Sequence, residues 1–185
     1  MEDNSVFDNV RSRLLFAGLK ELDKHGVADF SLRRVAQDAG VSCAAPYRHF
    51  KDKDELIGAV IEYVLDGWTL LTGQICEVFA SEPAALLAEL SVAGLRFWIG
   101  NGNFRTVIIA SATLGKGQKG TLESFDKPIL DAIKRYVLSS GIEDFSDLSF
   151  KILSMLYGAI ILVDGGYESA DIAADNLRSA ILSEL

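Results

Sequence analysis

Residues 31–50, SLRRVAQDAGVSCAAPYRHF, constrain the fold of this chain more than any other stretch. Ser31 is a candidate N-cap, because its hydroxyl can accept a hydrogen bond from a free N–H in the first helical turn. Gly40 follows as the residue at which a helix ends in a left-handed backbone conformation. Ser42 is expected to cap a second helix, from Cys43 to Phe50. The apolar face of the first helix consists of residues that recur at helical spacing: Leu32, Val35, Ala36 and Ala39.

Two short helices joined by a glycine-containing turn of this length predict a helix-turn-helix unit, whose second helix enters the major groove of DNA. A longer helix precedes them; its apolar stripe predicts that it starts at Asn4 or Ser5 and ends at Gly26. Packed behind the pair, it would complete a three-helix domain with Phe30 and Phe50 as its aromatic core.

The chain that follows is helical by the same criterion of apolar spacing. Asp52 and Glu55 make a capping-box-like start for a fourth helix that extends to about Phe79. The helix from Phe145 is apolar nearly all round and must therefore be covered on several sides. The later predicted helices are Ala84 to Ile99, Phe104 to Thr113, Thr121 to Ser139, Phe145 to Gly165 and Ala170 to Leu185.

The charge of the chain is unevenly distributed. The net charge is −8, yet residues 30–53 contain five basic and two acidic side chains, which makes this segment a small basic island. Because non-specific affinity for DNA comes mostly from phosphate neutralisation, we expect weak binding outside a specific site. Two cysteines far apart in sequence predict reduced thiols and a cytoplasmic location. No unbroken apolar run approaches the ~20 residues of a membrane span, so we expect no membrane association.

The run Tyr47-Arg48-His49-Phe50-Lys51-Asp52-Lys53, preceded by one helix and the two-helix motif, resembles the TetR family of bacterial transcriptional regulators. The resemblance covers roughly the first third of the chain. It implies an all-α fold with a helix-turn-helix DNA-binding domain at residues 1–55 (motif 31–50) and a helical effector-binding and dimerisation domain at 56–185. It also implies a cytoplasmic homodimer on a palindromic operator, a small-molecule effector and, by the habit of the family, repression.

The resemblance places Tyr47, His49 and Lys53 on the phosphate backbone. Their chemistry agrees, since a phenol hydroxyl, an imidazole N–H and an ammonium group all donate to phosphate oxygens. Arg34 is also expected to meet phosphate. The hydroxyls of Ser31 and Ser42 are further candidates, in competition with their capping roles.

Base recognition is expected from the remaining side chains of the motif. Arg33 and Arg48 are long enough to fork onto a guanine, a contact worth about 1–3 kcal/mol each. Cys43, Ala44 and Ala45 are short and would meet thymine methyl groups. This set predicts modest discrimination per half-site, supplemented by the shape of the DNA. A second hypothesis for Cys43 is a redox switch, because a thiol at a helix N-terminus can have a lowered pKa.

The resemblance also implies an effector pocket and a dimer interface in the second domain. Candidates for the pocket are the aromatic residues Trp68, Phe97, Trp98, Phe104, Phe125, Tyr136 and Tyr157. Candidates for an interface built from the last two helices are Leu153, Leu156, Ile160, Val163, Leu177 and Ile181.

Two other classes of function remain open at this stage. One is a helical enzyme or carrier, although the sequence shows no metal-ligand spacing, no paired catalytic carboxylates and no Ser/His or Cys/His arrangement close in sequence. We therefore predict no catalytic residues, no metal and no cofactor. The other is a dimeric adaptor or small-molecule-binding protein without operator binding, which the net charge of −8 would suit.

Overall fold

The computed structural model describes residues 10–102, 119–141 and 144–185. Within these ranges the secondary structure is helical, as predicted, and contains no strand. The helices are α1 (Val10–His25), α2 (Leu32–Asp38), α3 (Pro46–His49), α4 (Lys53–Val78), α5 (Pro83–Gly100), α6 (Lys119–Ser140), α7 (Phe145–Asp164) and α8 (Ala170–Glu184).

The chain divides into two compact units, with one boundary between Asp66 and Gly67 inside α4. Unit 1 includes α1, α2, α3 and the first half of α4, and unit 2 includes Gly67–Asn101 and Leu122–Leu185. The sequence analysis divided the chain at residue 55. The structure places the division later because Leu56, Ile57 and Val60 are fully buried in the core of unit 1.

Unit 1 is a small helical domain with one hydrophobic core. The helix α1 packs against α2 and α3, and its Gly18 lies close to Val60 of α4. Phe30 and Phe50 are 6% and 3% exposed, which confirms them as core aromatics. The main buried members of the core are Leu14, Leu15, Ala17, Leu22, Phe30, Val35, Ala39, Phe50, Leu56, Ile57 and Val60.

Three of the predicted helix ends in unit 1 are confirmed. The Ser31 hydroxyl accepts the N–H of Arg34 at 3.4 Å, as an N-cap does. Gly26 and Gly40 have φ values of 66° and 65°, a conformation that side chains disfavour. The predicted start of α1 near Asn4 or Ser5 lies outside the described residues.

The third helix is shorter than predicted. It starts at Pro46, not at Cys43, and Ser42 does not cap it. In a helix from Cys43, the carbonyl of Ser42 would accept its first bond from the N–H of residue 46, and a proline has none. The Ser42 carbonyl instead accepts the N–H of Ala45 at 2.9 Å, which closes a turn before the helix.

The helix α4 is one continuous helix through Gly73 and passes from unit 1 into unit 2. Its first turn has the predicted carboxylate caps. Asp52 accepts the N–H of Glu55 at 2.9 Å, and the Glu55 carboxylate accepts the N–H of Lys51 at 2.6 Å. These two hydrogen bonds fix the direction in which the chain passes from α3 into α4.

Unit 2 is built on α5, α7 and α8, which pack against one another. Gly94 of α5 allows close approach, because a Cβ there would lie 3.4 Å from the ring of Phe125. An ion pair fixes α8 to α5: the Arg178 guanidinium donates to both oxygens of Glu89, at 2.6 and 3.1 Å.

The helix boundaries in unit 2 differ from the predicted ones by one or two residues. The helix α6 starts at Lys119, so Thr121 is not its cap. Gly141 ends this helix with a φ of 76°, as expected. The predicted helix from Phe104 to Thr113 lies outside the described residues.

Three helices, α4, α5 and α7, are long and apolar enough to cross a membrane on length and composition alone. The mean hydropathy over 18 residues of each helix is high enough for a membrane span. Charged residues nevertheless interrupt every apolar run, so a search for unbroken apolar runs does not detect these helices. The buried share of the apolar segment is between 28% and 50% in these three helices. The lowest share belongs to α7, whose outer face is therefore largely apolar and uncovered.

Candidate DNA interface

The helix-turn-helix motif is joined to α1 through one buried carboxylate. Glu21 is 8% exposed, and its Oε1 accepts the backbone N–H of Ser31 at 3.0 Å and Nε of Arg34 at 2.8 Å. The Arg34 guanidinium also donates to the carbonyl of Asp29. The hydrogen bond to Glu21 raises the pKa of Arg34 above its ordinary value; the negative charges of Glu21 and Asp29 add to this rise, and desolvation opposes it in part.

Arg34 therefore has a structural partner. The sequence analysis expected it to contact phosphate, but in the structure three of its contacts are directed toward α1 and the turn before α2. Its neighbour Arg33 lies on the exposed side of α2. The buried partner, Glu21, was not found from the sequence, since an acidic residue on a helix rich in charged residues gives no signal of burial.

The side chains of α3 that are predicted to contact DNA lie on the surface. Tyr47 is 63% exposed, and Arg48 and His49 are also exposed. Pro46 and Phe50, at the two ends of the helix, are buried. One side of this four-residue helix thus anchors it to the core, and the other side presents a phenol, a guanidinium and an imidazole to solvent.

Lys53 is half-buried at the start of α4, and its Nζ lies 3.3 Å from the carbonyl of Val27. This contact holds the ammonium group beside the turn between α1 and α2. The neighbouring Lys51 is fully exposed and was not among the predicted contact residues, although its position in the same basic run could have suggested it.

The remaining predicted residues lie in the turns that flank α2 and α3. Ser42, Cys43 and Ala44 are exposed, while Ser31 and Ala45 are half-buried. Cys43 is a free thiol in a turn, three residues before the helix starts, so it does not occupy the helix N-terminus on which the redox hypothesis depended.

These observations combine an exposed polar face from α2 through the start of α4 with a buried core behind it. A family model described as "Bacterial regulatory proteins, tetR family" matches residues 14–60, which contain the whole of this face. The helix-turn-helix region, residues 14–60, is that of the TetR family. The resemblance noted from the run at residues 47–53 is thereby confirmed.

A curated relative with similarity to this chain is an HTH-type transcriptional regulator from Staphylococcus aureus strain USA300. The two are 33% identical over 91 residues, which is 49% of each chain. The chain thus spans about half the length of the curated relatives that it matches.

Solved structures are similar over nearly the whole chain and support its fold. A protein of unknown function from Rhodococcus sp. RHA1 has a TM-score of 0.77 at 23% identity, over 100% of this chain and 99% of that one. The transcriptional regulator FadR from Bacillus subtilis, in complex with stearoyl-CoA, has a TM-score of 0.71 at 13% identity, over 94% and 98%.

Most of the aromatic residues predicted for an effector pocket pack on one another inside unit 2. Trp68 stacks on Phe125 with ring centroids 4.9 Å apart, and its Nε1 donates to the Phe125 carbonyl at 3.1 Å. Trp98 contacts Phe125 and Tyr157 edge-on, at 5.6 and 5.9 Å. Phe97 joins the same cluster, at 5.1 Å from Trp68. Among the described residues, these rings therefore pack on one another as an aromatic cluster.

Tyr136, another candidate for the pocket, bonds to the end of the chain. The hydroxyl of Tyr136 donates to the carbonyl of Leu185 at 2.6 Å and so attaches α6 to the end of α8. Phe104 lies outside the described residues.

One polar pair borders the aromatic cluster. The hydroxyl of Tyr157 donates to Asp126 Oδ1 at 2.7 Å. Burial raises the pKa of Asp126, and the hydrogen bond from Tyr157 opposes that rise in part. Burial and the neighbouring carboxylate both raise the pKa of Tyr157, so this hydroxyl remains a donor at neutral pH.

Unit 2 has an open groove of about 430 Å³ between α4, α5 and α6. None of the described aromatic residues predicted for the pocket lines it, and two threonines and three charged side chains are among its lining residues. The lining residues are Thr69, Thr72, Gly73, Cys76, Leu86, Ser124, Lys127, Pro128, Asp131, Ala132 and Arg135.

Four of the six residues predicted for the dimer interface are buried within their own chain. Leu156, Ile160, Leu177 and Ile181 are at most 4% exposed and pack inside unit 2, so they are not available to a partner. Leu153 and Val163 are half-buried. The outer faces of α7 and α8 carry other apolar side chains instead, which are 47–81% exposed: Phe150, Ile161, Leu162, Ile172 and Leu182, with Tyr167 between the helices.

Proposed function

We propose that this chain is a ligand-responsive transcriptional regulator, a repressor that binds a palindromic operator as a homodimer and leaves it when a small molecule binds unit 2. The observation that carries the proposal is the exposed face of α3. Tyr47, Arg48 and His49 point to solvent from a helix whose ends are buried, and no described residue of unit 1 covers them.

The chemistry of this face suits a duplex. Arg33 and Arg48 are exposed guanidinium groups that can each fork onto a guanine. Tyr47, His49, Lys51 and Lys53 supply neutral and charged donors for phosphate oxygens on either side. The short side chains of Cys43 and Ala44 leave room for the edges of bases. We assign the positioning of α2, and not a phosphate contact, to Arg34.

The dimer is proposed to form through the uncovered apolar stripe of α7 and the adjoining side of α8. The stripe of Leu156 and Ile160 faces the core, and the stripe of Phe150 and Ile161 faces outward. A helix with two apolar faces needs a cover on each of them. A second copy of the chain provides the same surface, as a two-fold axis requires.

The effector is proposed to bind the groove of about 430 Å³ in unit 2, whose volume lies in the usual range for small-molecule sites. Thr69, Thr72 and Cys76 on one wall belong to α4, the helix whose first turn holds Lys53. A ligand that favours one position of α4 would shift the population of chains able to bind DNA. The lining, with Lys127 and Arg135, suits a ligand with acceptor groups.

The proposal is tested by selecting genomic fragments that the full chain retains at two salt concentrations. We expect a small set of fragments that share a palindrome, with an affinity that falls as salt rises. The double variant Arg33→Ala/Arg48→Ala should lose this selection. A variant of an exposed lysine on α6, Lys134→Ala, is the control and should keep it. If the chain retains no selective fragment, or if both variants behave alike, the face of α3 does not bind an operator.

A further inference from the structure

Unit 1 has a second groove, separate from the face proposed to bind DNA. Its volume is about 610 Å³, and its walls are α1, the end of α2 and the third turn of α4. Among the described residues that line it, none belongs to the set predicted to contact DNA. The groove therefore needs an explanation of its own.

Two large aromatic side chains stand open in this groove. Phe16 of α1 is 55% exposed and Tyr63 of α4 is 52% exposed. In the same unit, Phe30 and Phe50 are almost completely buried, so the fold is able to cover its rings. Apolar ring surface left in water favours binding of another apolar body, and two rings on opposite walls favour a flat one.

The rim of the groove is positively charged. Arg13 and Lys20 lie on the α1 side, and Nζ of Lys20 stands 4.6 Å from the centre of the Phe16 ring. Within the part of the chain that the structure describes, neither cation forms an ion pair. Asp38, at the end of α2, is the carboxylate on the opposite rim. An anionic group is thus favoured beside α1 and disfavoured beside α2.

We propose that this groove binds a small aromatic carboxylate. The flat body would lie between Phe16 and Tyr63, and the carboxylate would accept hydrogen bonds from Arg13 and Lys20, which are strengthened by the charges of both partners. The volume fits a ligand of this size. A duplex would fit poorly, since aromatic rings and the Asp38 carboxylate interrupt the cations. The proposal needs no operator, so its failure would leave the proposed function untouched.

The first test compares two probes of matched shape on the full chain without DNA, by isothermal titration calorimetry. We expect 2-naphthoate to bind with a stoichiometry of one, and the neutral 2-naphthylmethanol to bind at least about tenfold more weakly. The affinity for naphthoate should fall as salt rises, because the cations are exposed. Equal affinity for the two probes, or no binding of either, would overturn the proposal.

The second test locates the site by substitution. Phe16→Ser should abolish binding of naphthoate, Arg13→Gln should weaken it about threefold, and Asp38→Asn should strengthen it by a similar factor. The control is Phe150→Ser, which removes an exposed ring of unit 2 and should change nothing. Because all these side chains are exposed, the melting temperatures should stay within a few degrees of the parent. Loss of binding in Phe150→Ser but not in Phe16→Ser would place the probe in unit 2 and contradict the proposal.

A third arm addresses the acidic, aromatic sequence at residues 1–9. A chain that starts at Val10 should bind naphthoate as the full chain does. If only the shortened chain binds it, the groove serves the chain's own N-terminal sequence and the proposal is wrong.

Discussion

Glu21 and Arg34 are joined across the α1–α2 junction by a hydrogen bond of 2.8 Å, and the same carboxylate oxygen accepts the N–H of Ser31. The first turn of α2 is therefore fixed to α1 at two points. Because Arg33 is the neighbour of Arg34, the direction of its side chain depends on this contact. Glu21, which is buried behind α2, thus helps to orient Arg33, which is proposed to contact a base.

Removal of this carboxylate should destabilise unit 1. Glu21→Ala leaves the half-buried N–H of Ser31 without its acceptor, and an unsatisfied buried polar group costs about 1–3 kcal/mol. The exposed guanidinium of Arg34 also loses this partner but can bind water instead. The free energy of unfolding from urea titration measures the effect. The control is Glu62→Ala, an exposed glutamate on α4. Equal values for the two variants would show that the buried contact contributes nothing.

Removal of a phosphate contact should weaken binding to all operators alike. Tyr47→Phe and Lys53→Ala each delete one such donor, so the loss should not depend on the sequence of the DNA. For Lys53→Ala the slope of log affinity against log salt should decrease by about one. Fluorescence anisotropy on a panel of related sites gives both quantities.

Removal of a base contact should instead change the preference among operators. Arg48→Ala should lower the affinity for the best site by about 1–3 kcal/mol and that for poor sites much less. The same panel measures this. The opposite pattern, with Lys53→Ala relaxing specificity and Arg48→Ala weakening every site equally, would mean that the two roles have been exchanged.

Substitution on the outer face of α7 should dissociate the proposed dimer. Phe150→Glu and Ile161→Glu place a charge in the apolar contact and should raise the dimer dissociation constant at least about tenfold, equivalent to 1.4 kcal/mol. Sedimentation velocity over a range of concentrations measures this. Leu138→Glu is the matched control, because Leu138 is 85% exposed on α6, outside the proposed interface. A monomeric parent chain would exclude the interface altogether.

The buried carboxyl of Asp126 should give unit 2 a specific pH dependence. Burial raises the pKa of this group in the folded chain above its ordinary value of 3.8, so the folded state binds the proton more tightly than the unfolded chain. Its contribution to stability is therefore greatest below that value and is lost as pH rises through the raised pKa.

Asp126→Asn isolates this contribution. The free energy of unfolding of the parent minus that of the variant should decrease as pH rises from about 3.5 to 7. Urea titrations across this range measure it, with the exposed Asp66→Asn as the control. A difference that increases with pH would mean that the hydrogen bond from Tyr157 outweighs burial.

Local signals in the sequence predicted much of unit 1. The cap at Ser31, the glycines at 26 and 40 and the start of α4 follow from contacts within a few residues, and all are present in the structure. The predicted start of α3 at Cys43 is wrong because Pro46 has no N–H to donate to the carbonyl of Ser42. The contact between Glu21 and Arg34 spans 13 residues and leaves no periodic trace.

Unit 2 was harder to predict for a different reason. In a helix that is apolar all round, such as α7, the apolar residues are not confined to one side. The sequence therefore does not indicate which side faces the core. Leu156 and Ile160 were predicted to lie in the dimer interface, but in the structure they are buried inside their own chain. For the same reason an aromatic residue on such helices can belong to a core or to a cavity. The stacking of Trp68 on Phe125 identifies a core.

The central claim is that two chains present the helix α3 to one DNA duplex. Footprinting of the full chain on a selected fragment tests it most directly, combined with the stoichiometry of the complex. We expect two protected half-sites related by a palindrome, with their centres one helical turn or a multiple of it apart, and at least two chains per fragment. A single protected half-site, a complex with one chain, or protection that is unchanged when Arg33 and Arg48 are both replaced by alanine would contradict the account.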